Sequence, residues 1–124
     1  DLFSVVYVAK PEEATAMAKA GADAIIAHVG TTVGGSIGVT GAVCSMEDAA
    51  ARCQEIFEAG RAINKDIFLL SHGGPINTPE DATRINQLTD AQGFVGASSL
   101  ERMGVEESLT ALTRKFKKIP VDRT

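Results

Sequence analysis

The chain has 124 residues, 44% of them hydrophobic, with no tryptophan and abundant alanine and glycine; it is long enough for one domain and has the composition of an ordinary α/β protein. Twelve basic against sixteen acidic residues give a net charge of −4. The only basic cluster is Arg114-Lys115 with Lys117-Lys118, so nucleic acid is not an expected partner, because phosphate backbones are bound by a concentrated basic face.

Phe3-Ser4-Val5-Val6-Tyr7-Val8 is a β-branched and aromatic run without clean alternation, which predicts a strand buried on both faces. Lys10-Pro11-Glu12-Glu13 opens a helix, with proline in the first turn and acids where the helix dipole favours them. Ala14, Met17, Ala18 and Gly21 form its small-residue face. Asp23–Val29 is a second strand that places His28 near its C-terminal end. The stretch from Gly30 to Gly41 is too glycine-rich for a plain connector and reads either as a lid, with Thr31, Thr32, Gly34 and Gly35 in it, or as a disordered segment. Ser45-Met46-Glu47-Asp48 resembles a capping box, and Ala49, Cys53, Ile56, Phe57, Gly60 and Ile63 follow at helical spacing.

Ile67–Leu70 is the third strand and runs into Ser71-His72-Gly73-Gly74-Pro75, after which Thr78-Pro79 starts a helix with Ala82, Ile85 and Leu88 as a modest stripe. Phe94–Gly96 is the fourth strand. The last helix carries Val105, Leu109, Leu112, Phe116 and Ile119 at spacings of three and four and stops at Pro120, leaving a tail over 120–124. The basic cluster is expected on its solvated last turns. No apolar run approaches a membrane span and no charged-then-apolar leader is seen, so no membrane contact and a cytoplasmic location are expected. A first residue Asp1 without methionine suggests a segment of a longer protein. Cys44 and Cys53 lack CxxC spacing and read as free thiols in a reducing compartment.

The order βαβαβαβα implies parallel strands joined by right-handed crossovers, hence α/β. Periodicity leaves open whether four such units form a small open sheet or half of an eight-stranded barrel. Two strand-to-helix corners, at His72-Gly73-Gly74 and at Gly96-Ala97-Ser98-Ser99, combine glycines, small residues and a following helix start. That pattern points to a phosphate or carboxylate held between them.

Three motifs, His28-Val29-Gly30-Thr31-Thr32-Val33-Gly34-Gly35, Leu70-Ser71-His72-Gly73-Gly74-Pro75-Ile76 and Gly93-Phe94-Val95-Gly96-Ala97-Ser98-Ser99-Leu100-Glu101-Arg102, together resemble the TIM-barrel family described as phosphoenolpyruvate hydrolase-like, or TIM-barrel signal transduction proteins. A similar domain forms the C-terminal part of plant antiviral resistance proteins. The resemblance implies a (β/α)8 barrel represented by its four C-terminal βα units, residues 1–119. The missing N-terminal half-barrel, or a second copy of this chain, then becomes an expected partner, since a lone half-barrel exposes two strand edges.

It also implies a site at the C-terminal strand ends. There Gly73, Gly74, Gly96, Ala97, Ser98 and Ser99 would bind the anion. Ser99–Arg102 would form a short extra helix, and Arg102 either pairs with Glu101 or clamps the anion. His28 and His72 share the mouth, for substrate contact or acid–base work or for a structural role. Glu101 is a third catalytic candidate beside the two histidines, although a triad of Ser98, His72 and Glu101 lacks the nucleophile-elbow pattern. No metal site is expected within these residues; a divalent metal would need ligands outside them. The implied function is an enzyme-like domain for a small phosphorylated or carboxylated metabolite of the phosphoenolpyruvate or phosphonopyruvate kind, with hydrolase-like or lyase-like activity. The alternatives are a non-catalytic ligand-sensing or protein-interaction module, and a segment whose chemistry resides in its other half.

Overall fold

A computed structural model describes residues 2–33 and 44–120. Four βα units follow one another: β1 (Val5–Val8), α1 (Pro11–Lys19), β2 (Ala24–His28), α2 (Met46–Arg61), β3 (Phe68–His72), α3 (Pro79–Leu88), β4 (Gly93–Phe94), and a π-helical turn (Ser99–Met103) that runs directly into α4 (Gly104–Phe116). The strands are all parallel and their spatial order equals their chain order, β1-β2-β3-β4. Because every right-handed crossover advances by one strand in the same direction, the helices gather on one face, as in consecutive units of a (β/α)8 barrel. The chain is half of such a barrel.

Local chemistry explains the elements. In α1, Pro11 takes the first turn with Glu12 and Glu13, and the chain leaves through Gly21 at φ +92°. Ser45 caps α2 as its spacing predicts, its hydroxyl accepting from the Asp48 N–H at 3.0 Å. The α2 stripe Ala49, Cys53, Ile56, Phe57 and Gly60 is buried. A Cβ on Gly60 would lie 2.6 Å from Ile25 Cδ1, so glycine there lets α2 settle on β2. The core forms where Val8, Ile25, Ala27 and Leu69 from alternate strand positions meet Ala14 and Ala18 of α1 and the α2 stripe. At the N-terminal end of the sheet, the Asp23 carboxylate accepts from the Ser4 N–H at 2.7 Å and the Ser4 hydroxyl at 2.8 Å, tying β1 to β2.

Four expectations are corrected. Phe3 lies outside β1, and the strand is not buried on both faces: Val5 and Tyr7 alternate onto the side of the sheet away from the core and are exposed. The fourth strand is Gly93–Phe94, although Val95 still donates its N–H to the Ser71 carbonyl at 2.9 Å before the chain turns away. Met17, Ile63 and Leu88, placed on apolar stripes by their spacing, are exposed at the helix margins. The α4 stripe buries nothing: Val105, Leu109, Leu112 and Phe116 are all exposed, since regular spacing marks an apolar face without specifying a neighbour to cover it. Among the described residues no helix is long and apolar enough to cross a membrane.

Candidate functional site

The site is built by strand register. His28 and His72 end β2 and β3 and are register partners, so parallel pairing sets them side by side on the sheet face opposite α1 and α2, at the strands' C-terminal ends. Their ring centroids are 5.1 Å apart. Tyr7 pairs with Ile26, one row below on the same face, and its ring meets both imidazoles edge-on, at 5.1 Å from His72 and 5.9 Å from His28. Sequence reasoning missed Tyr7, since only the register of β1 on β2 brings it under the histidines.

The two rings are held in opposite tautomers. His72 Nδ1 lies 2.6 Å from the Val95 carbonyl oxygen, which can only accept, so Nδ1 carries the proton and Nε2 presents a lone pair. His28 Nδ1 faces the Gly30 N–H at 3.3 Å, which can only donate, so in the neutral ring the proton is on Nε2. His72 is buried and His28 half-buried. The mouth therefore offers one imidazole acceptor and one imidazole donor. In this arrangement the pair is a poor two-histidine metal site, because ligation through His28 Nε2 would have to displace that proton and reverse the Gly30 contact. Among the described residues no group of three or more histidine, cysteine or acidic side chains gathers around a point.

The glycine pair does local work that the sequence does not reveal. Gly73 and Gly74 have φ of +81° and +57°, and the Gly74 N–H donates to the Gly30 carbonyl at 2.8 Å. A Cβ on Gly73 would fall 2.2 Å from that carbonyl oxygen. With the Val29 N–H on the His72 carbonyl at 3.1 Å, these contacts lock the loops after β2 and β3 together and set both histidines. The Gly74 amide is thus engaged within the fold.

The start of α3 is also engaged. Asp81 accepts from the Asn77 and Thr78 N–H groups at 3.1 and 2.9 Å, while Thr78 Oγ1 accepts from the Asp81 N–H at 3.1 Å, a closed capping box. Burial would raise the Asp81 carboxyl, but these bonds from Asn77 and Thr78 outweigh it and hold it below the ordinary carboxylate range. The Thr78-x-x-Asp81 spacing was the signal for this; the helix supplies its own anion.

At the second corner, Gly96, Ala97, Ser98 and Ser99 are half-buried, and the Leu100 and Glu101 N–H groups both donate to the Ala97 carbonyl, at 3.0 and 2.7 Å. Ser98 and Ser99 stand at the start of a continuous helical run, where backbone amides lack intrahelical partners. Ser99–Arg102 is therefore no separate helix but the π-turn that opens α4. Glu101 is exposed on it, and Arg102 is held by Glu106, its Nη1 at 3.2 and 3.3 Å from the two carboxylate oxygens, rather than by its neighbour Glu101. Beside this corner an apolar cleft of about 260 Å³ is lined by Asn77, Thr78, Pro79, Ala82, Phe94, Ser99 and Leu100. Thr31 is exposed and Thr32 half-buried at the beginning of the loop after β2; Gly34 and Gly35 lie outside the described residues.

Comparison with known proteins adds to this geometry. A family model described as phosphoenolpyruvate hydrolase-like matches residues 1–119. The chain is 45% identical over 122 residues to the ToMV susceptible protein tm-1(GCR26) of Solanum lycopersicum and 44% identical to the ToMV resistance protein Tm-1(GCR237) of the same plant, covering 98% of this chain and 16% of each relative. It is 33% identical over 119 residues to the putative transcriptional regulatory protein y4pA of Sinorhizobium fredii, covering 96% of this chain and 19% of that protein. The chain thus spans less than a fifth of the curated relatives it matches. Among solved structures, nitroalkane oxidase from Streptomyces ansochromogenes aligns with a TM-score of 0.46 and 30% identity, over 77% of this chain and 27% of that one.

Proposed function

This chain belongs to the phosphoenolpyruvate hydrolase-like family, and from that membership we propose that its strand-end mouth binds a small phosphorylated or carboxylated metabolite of the phosphoenolpyruvate or phosphonopyruvate kind and moves a proton on it. The observation that carries the reading is the pair of opposite tautomers, fixed by Val95 on one side and Gly30 on the other. His72 Nε2 accepts a proton, from water or from carbon next to a carboxylate. His28 Nε2–H donates to the oxygen on which negative charge then grows, where a preset donor favours the transition state over the ground state. Tyr7 walls the pair with an aromatic edge. The anionic group is held by the Ala97 to Ser99 backbone at the helical start, with the Ser98 and Ser99 hydroxyls as further donors. The two glycines 73 and 74 act in this reading by shaping the corner, since the Gly74 amide is bonded to Gly30.

The test is binding by titration calorimetry together with solvent-deuterium incorporation into pyruvate-type ligands followed by NMR. Removing the base by His72→Ala is expected to lower exchange by about 100-fold or more while leaving binding within a few-fold, as for loss of one acid–base group. His28→Ala should lower it by a smaller factor. Exchange that is unchanged in both variants refutes the reading.

A second reading, a ligand-sensing or protein-interaction module, is favoured by the likeness to the bacterial relative, a putative transcriptional regulatory protein. Tight binding of the same anions by the unaltered chain with no proton exchange at all would select it.

A further inference from the structure

We propose that the cleft between the start of α3 and the π-turn binds a single aromatic ring carrying one hydrogen-bond donor, such as a phenol or an aromatic amine, apart from the histidine mouth. It lies on the other side of the sheet from the histidines. Phe94 is the register partner of Ser71, which in turn pairs with Ala27, and register partners point their side chains the same way. Ala27 lies in the core with α1 and α2, and Phe94 packs against that core, so this is the helix side. His72 follows Ser71 directly and therefore points away from it. The walls come from residues between 77 and 100, where two consecutive βα units meet inside the chain.

Size and lining select the occupant. The cleft holds about 260 Å³, and an apolar cavity of roughly 150 Å³ already admits benzene. Pro79, Ala82, Phe94 and Leu100 make its apolar wall, on which the Phe94 ring offers a surface for stacking or edge-to-face contact. Gly96 makes that wall possible. A Cβ there would lie 2.6 Å from Leu100 Cδ1 and 3.2 Å from Phe94 Cε1, so the bare glycine lets the leucine side chain fold down beside the phenylalanine ring. Its φ is not positive, so the space and not the backbone calls for glycine.

One polar group of the lining is unsatisfied. The Oδ1 atom of Asn77 is buried and has no hydrogen-bond partner among the described residues. Buried acceptors are almost always paired, and an unpaired one is costly. The side-chain amide is held only through Nδ2, which donates to the Pro75 carbonyl at 3.4 Å, and the terminal torsion of asparagine is broad. The oxygen can therefore turn to a donor seated in the cleft. Thr78 Oγ1 already accepts from the Asp81 N–H. No lining residue carries a charge. A ring with a single N–H or O–H satisfies both the apolar wall and the Asn77 acceptor; a small anion such as pyruvate satisfies neither.

The experiment titrates phenol, and toluene as the ring without the donor, into the 124-residue chain, followed by calorimetry and by NMR of methyl and imidazole groups. Phenol is expected to bind with a Kd on the order of 1 mM, within the efficiency of so small a ligand. It should move the Ala82 and Leu100 methyl signals and leave those of the His28 and His72 rings in place. Toluene should bind about 5-fold more weakly, the worth of one hydrogen bond. Asn77→Ala is expected to erase that difference. Ala82→Leu, which fills the cleft with a good helix former, is expected to weaken both ligands by at least ~10-fold. Three results would overturn the proposal: no methyl shift at roughly tenfold the expected Kd, imidazole signals that move while the two methyls do not, or a phenol-to-toluene ratio unchanged in Asn77→Ala. None of these readouts depends on proton exchange at the histidines, so this site and the histidine mouth stand or fall separately.

Discussion

Replacement of Gly73 by alanine isolates what the corner between β3 and α3 contributes. Two costs add. The backbone sits at φ +81°, and an L-residue there costs about 1–2 kcal/mol. The new Cβ also falls 2.2 Å from the Gly30 carbonyl oxygen, which belongs to the backbone and can relieve the clash only by moving. Moving it breaks the 2.8 Å bond from the Gly74 N–H, worth about 1 kcal/mol. The expected loss is about 3 kcal/mol of unfolding free energy, read from urea midpoints at unchanged slope. Gly21→Ala is the control: its φ is +92°, but an added Cβ there meets nothing within 4 Å, so it should lose only about 1–2 kcal/mol. The gain from restricting the unfolded chain is the same in both and cancels in the comparison. If Gly73→Ala costs no more than Gly21→Ala, the contact between the two loops does not hold the corner together and the reasoning fails.

Two further expectations follow from buried and bridged groups. Asp23 is held below the ordinary carboxylate range chiefly by the Ser4 N–H and hydroxyl, and Asp81 is lowered by its Asn77 and Thr78 bonds against burial; depressed folded-state values contribute stability that is full above about pH 4 and is lost as pH falls below it. Denaturation midpoints should therefore drop as pH falls below about 4, and drop less steeply in Asp23→Asn and Asp81→Asn; parallel slopes in parent and variants would contradict this. Burial pushes the Cys53 thiol up to about 12, whereas Cys44 is exposed. An aromatic disulfide reagent near pH 8 should thus titrate one thiol quickly and the second only with unfolding, and two fast thiols would show that the α2 stripe opens readily.

The parts of this fold that depend on near neighbours were legible in the sequence. Ser45 three residues before Asp48 and Pro11 ahead of Glu12 and Glu13 mark their helix starts because a cap acts within one turn. The buried stripe from Ala49 to Gly60 was legible for the same reason. What depended on pairing between distant segments was not. That His28 stands beside His72 follows from a register joining residues 44 apart, and Tyr7 enters only through the next strand's register. The tautomers depend on a carbonyl at Val95 and an amide at Gly30 that no spacing announces. Thr78 and Asp81 did carry a local signal, a spacing of three that closes as a capping box, with the Asp81 carboxylate accepting from the Asn77 and Thr78 N–H groups. The α4 stripe shows the limit of periodicity most directly, since regular spacing from Val105 to Phe116 reports an apolar face and says nothing of what lies against it.

The π-turn at Ser99–Met103 has a bearing on how such a helix is aimed. A π-turn holds one residue more than the α-helical turn it replaces, and one residue is about 100° of rotation. Everything downstream inherits that phase, so the compass bearing of the whole Val105 to Phe116 face is set by a single inserted residue lying next to the strand-end corner. Length variation of one residue here would leave the barrel strands and the α4 sequence untouched, yet swing the apolar face a quarter turn or more around the helix axis. The bearing of the α4 face is thus written into the same few residues that form the corner after β4.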